Sequence, residues 1–158
     1  MSGYLGIYLE DHLAGSTAGL ELFKRAVRRH RGTPLGEELA RLRDEVQQDR
    51  DALIGVMRTL GVPVRAYKVL GGWALERVGR LKPNGHLITR SPLSDLVELE
   101  GMRLGVEGKG CLWRALLELD DPRLDAAALQ ELHERALEQA AVLEGQRLET
   151  ARRVLAGG

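Results

Sequence analysis

The stretch that decides the fold is LAGSTAGLELFKRAVRRHRGTPLGEELARLRDEVQQDRDAL, from Leu13 to Leu53. Its apolar residues recur in steps of three and four, the period of one buried stripe on a helix. Extended to both sides, the first seam reads Leu9, Leu13, Ser16, Leu20, Phe23, Val27 and predicts a helix over about 4–30. The second reads Leu35, Leu39, Leu42, Val46, Asp49, Leu53, Val56, Leu60 and predicts a helix over about 35–60. Only Arg31-Gly32-Thr33-Pro34 separates them, and a link this short forces an antiparallel hairpin. Facing positions then sum to about 65, which sets Phe23 against Leu42, Leu20 against Val46, Leu13 against Leu53 and Leu9 against Val56. Ser16 meets Asp49 at the one height where both seams turn polar.

The second half repeats the pattern. Ser91-Pro92 reads as an N-cap followed by the first helical residue, opening a helix over about 92–119. Asp121-Pro122 repeats that signal and predicts a fourth helix over about 122–155. The fourth helix's stripe reads Leu129, His133, Leu137, Ala140, Glu144, Leu148, Ala151, Leu155. The third helix offers two stripes. The first is Leu93, Val97, Glu100, Leu104, Cys111, Ala115, and it sets Glu100 level with Glu144 and Cys111 level with His133. The second is Leu99, Met102, Val106, Trp113, Leu117, which must be buried too, under the connecting segment or against another subunit. Between the hairpins, residues 64–81 have helical spacing weakened by Gly71-Gly72, and Lys82-Pro83-Asn84-Gly85 reads as a turn. A connection this long can return the chain along a bundle roughly 40 Å tall. The expected architecture over residues 1–158 is therefore all-α: an antiparallel four-helix bundle of two helical hairpins joined by a long, partly helical crossover.

Composition agrees. The chain is 44% hydrophobic but only 4% aromatic, so leucine, valine and alanine must fill the core, a palette that suits helices. Lysine plus arginine equals aspartate plus glutamate at 23 each, which gives no global attraction to nucleic acid. Within that balance, residues 62–92 hold six basic residues against Glu76, while residues 93–158 hold 8 basic and 13 acidic residues. A basic middle segment lying against acidic helices is the expectation from this split. The absence of a basic leader at the start, of a membrane-length apolar run and of any partner for Cys111 points to a cytoplasmic protein.

Hairpin, long crossover and hairpin, with carboxylates set in the core, resembles the ferritin-like superfamily. The stretch GRLKPNGHLITRSPLSDLVELE, Gly79–Glu100, resembles an uncharacterised bacterial branch of it. Metal-binding members place Glu on two helices and Glu-x-x-His on the other two. Here Leu9, Val27, Pro83 and Gln130 stand three residues before the four histidines, so the motif is absent. What the resemblance leaves as candidate metal ligands is Asp49, Glu100 and Glu144, with His12 one turn from Ser16, a set suited to iron or manganese. The competing reading is a set of ion-paired core groups, with Arg103 and Arg147 as counter-charges, that specify register.

Other constellations are weaker. His12, Ser16 and Asp49 imitate a hydrolytic triad, but mid-helix backbone amides are already bonded and cannot form an oxyanion hole. Lys24, Arg25, Arg28, Arg29 and Arg31 complement the dipole at the end of the first helix. Gly101, Gly105 and Gly108 on the third helix and Gly15, Ala18 and Gly19 on the first predict close packing of these two helices, or a pocket between them. The sequence thus predicts a bundle that binds or supports rather than catalyses and that self-associates through the third helix. The alternative is a carboxylate-site oxidase or metal-storage protein.

Overall fold

A computed structural model describes residues 3–65 and 90–157. It contains four long helices: α1 Tyr4–Arg29, α2 Pro34–Thr59, α3 Pro92–Glu118 and α4 Ala126–Leu155. No strand occurs among the described residues. Val62–Arg65 is not helical, and the remainder of the expected helix at 64–81, with the turn at 82–85, lies outside the described residues.

α1 and α2 form the expected hairpin. Leu9, Leu13, Leu20 and Phe23 are buried against Leu39, Leu42, Val46 and Leu53, the seams read from spacing alone. Arg50 donates to the Thr17 hydroxyl at 2.9 Å, which fixes the register near the predicted sum. The turn is built from three residues with separate tasks. Gly32 takes a positive φ of 78°, which costs any other residue strain. Thr33 caps α2 by accepting from the Gly36 amide at 3.1 Å, and Pro34 opens the helix. Gly36 lies so close to α1 that an added Cβ would sit 2.0 Å from the His30 carbonyl oxygen.

α3 and α4 form a second, tightly packed hairpin, but its core faces differ from the expected ones. On α3, Leu96, Leu99, Met102, Val106, Leu112, Trp113 and Leu116 are buried, while Leu93, Val97 and Leu104 are exposed. The stripe treated in sequence as secondary is the core stripe. On α4, Leu129 is buried as expected, but Ala136, Gln139, Leu143 and Thr150 are buried in place of their C-terminal neighbours Leu137, Ala140, Glu144 and Ala151, and Leu137, Leu148 and Leu155 face outward. Both helices satisfy a helical period on either side, so spacing could not choose between faces. Trp113, the bulkiest buried side chain and 1% exposed, chooses for α3, because it is the largest apolar area the hairpin can withdraw from water.

The start of α4 also moves. Asp121 is a turn former rather than a cap: its carboxylate accepts from the Arg123 amide at 3.0 Å and clasps the Arg123 guanidinium. Those hydrogen bonds hold its pKa down to about 2. Asp125 is the N-cap, accepting from the Ala128 amide at 3.1 Å. Asp125→Ala is therefore expected to cost about 1 kcal/mol in urea unfolding, and Asp121→Ala clearly less, since its partner is a solvent-exposed arginine.

Cross-hairpin pairs set the directions. Arg29, at the end of α1, pairs with Asp95 and Glu98 at the start of α3. Arg135 of α4 reaches Gln48 and Asp49 of α2. Each helix is thus antiparallel to its neighbours, α1 to α2 and α3, and α4 to the same two. The diagonal pairs, α1 with α4 and α2 with α3, run parallel. The chain leaves α2 at one end of the bundle and enters α3 at the other.

α1 and α3 are neighbours, but the glycines do not make the contact. Among the described residues, a Cβ added at Gly15, Gly19, Gly105 or Gly108 meets nothing within 4 Å, and only Gly101 has a neighbour, Leu22 at 3.7 Å. Gly15, Gly19, Gly105 and Gly108 therefore face open space.

Candidate functional site: a charged layer at the bundle centre

Asp49 is the one carboxylate fully buried among the described residues, its side chain 0% exposed. It stands on the core stripe of α2, where helical spacing continues through Val46 and Leu53 and leaves it no route to solvent. Three side chains converge on it. Lys109 of α3 pairs with Oδ2, and Arg135 of α4 pairs with Oδ1. Gln139 of α4 donates to Oδ2 at 3.3 Å.

The layer closes on itself. Lys109 also donates to the Gln139 carbonyl oxygen, and the Gln139 amide donates to Glu45 at 2.9 Å. Arg135 donates to Gln48 at 3.1 Å. Two carboxylates, Asp49 and Glu45, meet two cations, Lys109 and Arg135, and Glu45 also takes Arg41 of its own helix on its outer side. Three of the four helices contribute. Each buried charge has a partner of opposite sign, which an interior of low dielectric demands.

Lys109 is the more deeply buried of the two cations that hold Asp49. Burial pushes its pKa below the usual lysine value of 10.5, opposed by the charge and hydrogen bond of Asp49. The unfolded chain therefore binds more protons than the native one between that lowered value and 10.5. The contribution of this group to stability rises with pH across that window and is least favourable below it. Wild type measured against Lys109→Met by urea unfolding should accordingly gain relative stability as pH is raised toward 10.5.

The sequence-derived candidates do not converge. Asp49 is held by Lys109 and Arg135. Glu100 and Glu144 stand on neighbouring helices, but on the outer side of the hairpin. Arg147 joins them, at 2.8 Å from Glu144 and 3.5 Å from Glu100, and Arg103 approaches Glu144 at 3.3 Å. The hydrogen bond from Arg147 holds the Glu144 pKa below its ordinary value. His12 is half-buried against Tyr8, ring centroids 4.5 Å apart in an edge contact, and burial lowers its pKa. Ser16 donates to the Leu13 carbonyl of its own helix at 2.8 Å. Cys111 is exposed, and His133 meets the Gly110 carbonyl at 3.2 Å instead of the thiol. Among the described residues, no three His, Cys, Asp or Glu side chains gather in a way that could hold a metal ion.

Lys109, Arg135 and Gln139 escaped the sequence reading. Lys109 sits between Gly108 and Gly110 and resembled part of a glycine-rich segment. The available signal was its fall on the same side of α3 as Met102, Val106, Leu112 and Leu116.

A second polar group closes the bundle end where α1 stops and α2 and α3 start. There a cleft of about 750 Å³ is lined by His30, Thr33, Arg90, Asp95, Glu149 and Arg153, among others. Arg90 is spent on Asp95 and Glu98, and His30 lies 3.4 Å from Asp95.

Among the described residues, fold and centre together define a four-helix bundle with a buried, ion-paired polar layer. No family model matches the chain, and no match was found among curated proteins or solved structures. Among the described residues, no helix is long and apolar enough to cross a membrane.

Proposed function

We propose that this chain is a ferritin-like helical bundle that serves as a non-catalytic binding or structural protein and self-associates through α3. The observation that carries the first part is the Lys109 ammonium lying between Asp49 and Gln139. A carboxylate pointing into a bundle core is where a metal-binding relative would seat its ion. Here a side-chain cation already fills that role, and Arg135 takes the second carboxylate oxygen. Helix directions support the superfamily assignment, because the chain changes ends between α2 and α3 as a long crossover requires. The exposed single thiol of Cys111 suits a reducing, cytoplasmic compartment.

The competing function is an oxidase or metal-storage protein binding iron or manganese at Asp49, Glu100, Glu144 and His12. Anaerobic titration of the purified protein with Fe(II) or Mn(II) separates the two. We expect no stoichiometric binding at micromolar metal, by calorimetry or by retention on desalting. Stoichiometric uptake that Asp49→Ala or Glu144→Ala abolishes would replace our reading with the competing one. Sedimentation of the wild-type chain tests the self-association.

A further inference from the structure

Four lengthwise channels run between neighbouring helices, and polar side chains bridge three of them. Arg50 of α2 reaches Thr17 of α1, and Arg135 of α4 reaches Gln48 of α2. Arg147 and Arg103 join α4 to α3 through Glu100 and Glu144. The channel between α1 and α3 differs. Arg29 closes it on Asp95 and Glu98 at the end where α3 starts. Beyond that point, among the described residues, no side-chain hydrogen bond or ion pair crosses it.

Its walls carry almost no charge. Leu22 lies beside Gly101 and the two helices are antiparallel, so each step along α1 meets one step back along α3. Ala18 then stands level with Gly105, Gly15 with Gly108, Tyr8 with Ala115 and Tyr4 with Leu119. Asp11 is the one charged residue in these rows. The middle is roomy, since a Cβ added at Gly15, Gly105 or Gly108 meets nothing within 4 Å. At the far end Tyr4 is 93%, Tyr8 36% and Leu119 47% exposed.

We infer that residues 66–89 of this same chain run along that channel and cover it. The inference is carried by where the segment begins and ends. Val62 packs on the core at the end where α2 stops, and its amide donates to the Met57 carbonyl at 2.8 Å. Arg90 pairs with Asp95 and Glu98 at the opposite end. The chain between them must travel the height of the bundle, about 40 Å for a helix as long as α3. Residues 66–89 reach about 36 Å at the helical rise and about 80 Å fully extended, which suits a single pass.

Two channels border α3, where that pass must arrive. The one shared with α4 carries Glu100, Arg103, Glu144 and Arg147 on its outer side, and an apolar cover would strip them of water. The segment is rich in side chains that gain from burial, among them Val69, Leu70, Trp73, Leu75, Val78 and Leu81. The channel between α1 and α3 takes them without that penalty. A second copy is the poorer occupant, because a segment tied at both ends of the channel acts at an effective concentration on the order of millimolar. The inference does not rest on the self-association proposed above, since cover and channel belong to one chain.

Cross-linking tests it. With both ends of the segment fixed, its middle falls near the height of Gly105 and Gly108. A chain carrying Ala74→Cys, Gly108→Cys and Cys111→Ser should close an internal link with a short bismaleimide and stay at one chain mass at every protein concentration. Ala74→Cys with Ala18→Cys and Cys111→Ser probes the opposite wall and should link as well, so a Gly108 variant that fails to fold leaves the test intact. Circular dichroism equal to wild type is the control for folding. Ala74→Cys with Leu137→Cys and Cys111→Ser, on the α3–α4 side, should link several-fold less. Faster linkage to Leu137→Cys would put the segment over α3 and α4 and overturn the inference. Links between chains would give the channel to a second copy, and no link from either wall would leave it uncovered; each of these also overturns it.

Discussion

Asp49→Ala should lower the stability of the protein by about 3–5 kcal/mol, because it strands the buried Lys109 ammonium and releases one arm of Arg135 and one of Gln139. For a chain of this size that corresponds to a fall in melting temperature of roughly 6–20 °C. Thermal and urea unfolding followed by circular dichroism would measure it. The size of the loss comes from the charge left behind and not from the pair itself. Asp49→Leu combined with Lys109→Met and Gln139→Leu should therefore recover to within about 2 kcal/mol of wild type, since an ion pair exchanged for packed apolar groups is near neutral. Arg135 needs no replacement in that variant, as its side chain is 29% exposed and can turn to solvent. A loss below about 1 kcal/mol for Asp49→Ala would mean that the layer is not closed in solution.

The second large effect belongs to the first turn. Gly36→Ala should destabilise by about 2–3 kcal/mol, because the new methyl would stand 2.0 Å from the His30 carbonyl oxygen. That oxygen is backbone and cannot rotate away. It is also held by Thr33, whose amide and hydroxyl donate to it at 3.1 and 2.7 Å. Relief demands that α2 shift against α1, which disturbs Leu39 and Leu42 in the core. Gly55→Ala, on the exposed side of the same helix with open space around it, is the matched control. It should stabilise by about 0.5–1 kcal/mol through helix propensity. Guanidinium or urea midpoints for the two variants should move in opposite directions, and movement in the same direction would refute the contact argument.

These two sites differ in how far the sequence announced them. Asp49 was legible as a polar break in a strict apolar seam, and Ser16 fell at the same height. Its true partners were not legible, because they come from α3 and α4, and no local pattern fixes how the second hairpin docks on the first. Thr17 shows the limit: it lies beside Ser16 on α1, and only the docked helices reveal that it accepts from Arg50. Gly36 looked like an ordinary residue of a helix start. Its necessity depends on a through-space approach to a carbonyl six positions earlier.

The second hairpin makes the same point about faces. Glu100 and Glu144 were expected at one height, and both reach Arg147 across the α3–α4 hairpin. Their side of the helix was not fixed, because α3 and α4 each repeat an apolar pattern twice around the cylinder. As core residues they would have been four-helix ligands; as surface residues they share Arg147 and Arg103.

By itself, then, the sequence determined the four helices, their approximate ends, the antiparallel hairpins and the polar break at Asp49 in the α2 seam. Period, caps and turn length are local quantities, carried by neighbours within a few residues. The tertiary structure alone decided which face of α3 and α4 turns inward and which cations reach Asp49. Those choices depend on the competition between whole surfaces for burial, led here by Trp113, and on charges separated by 60 or more positions in the chain.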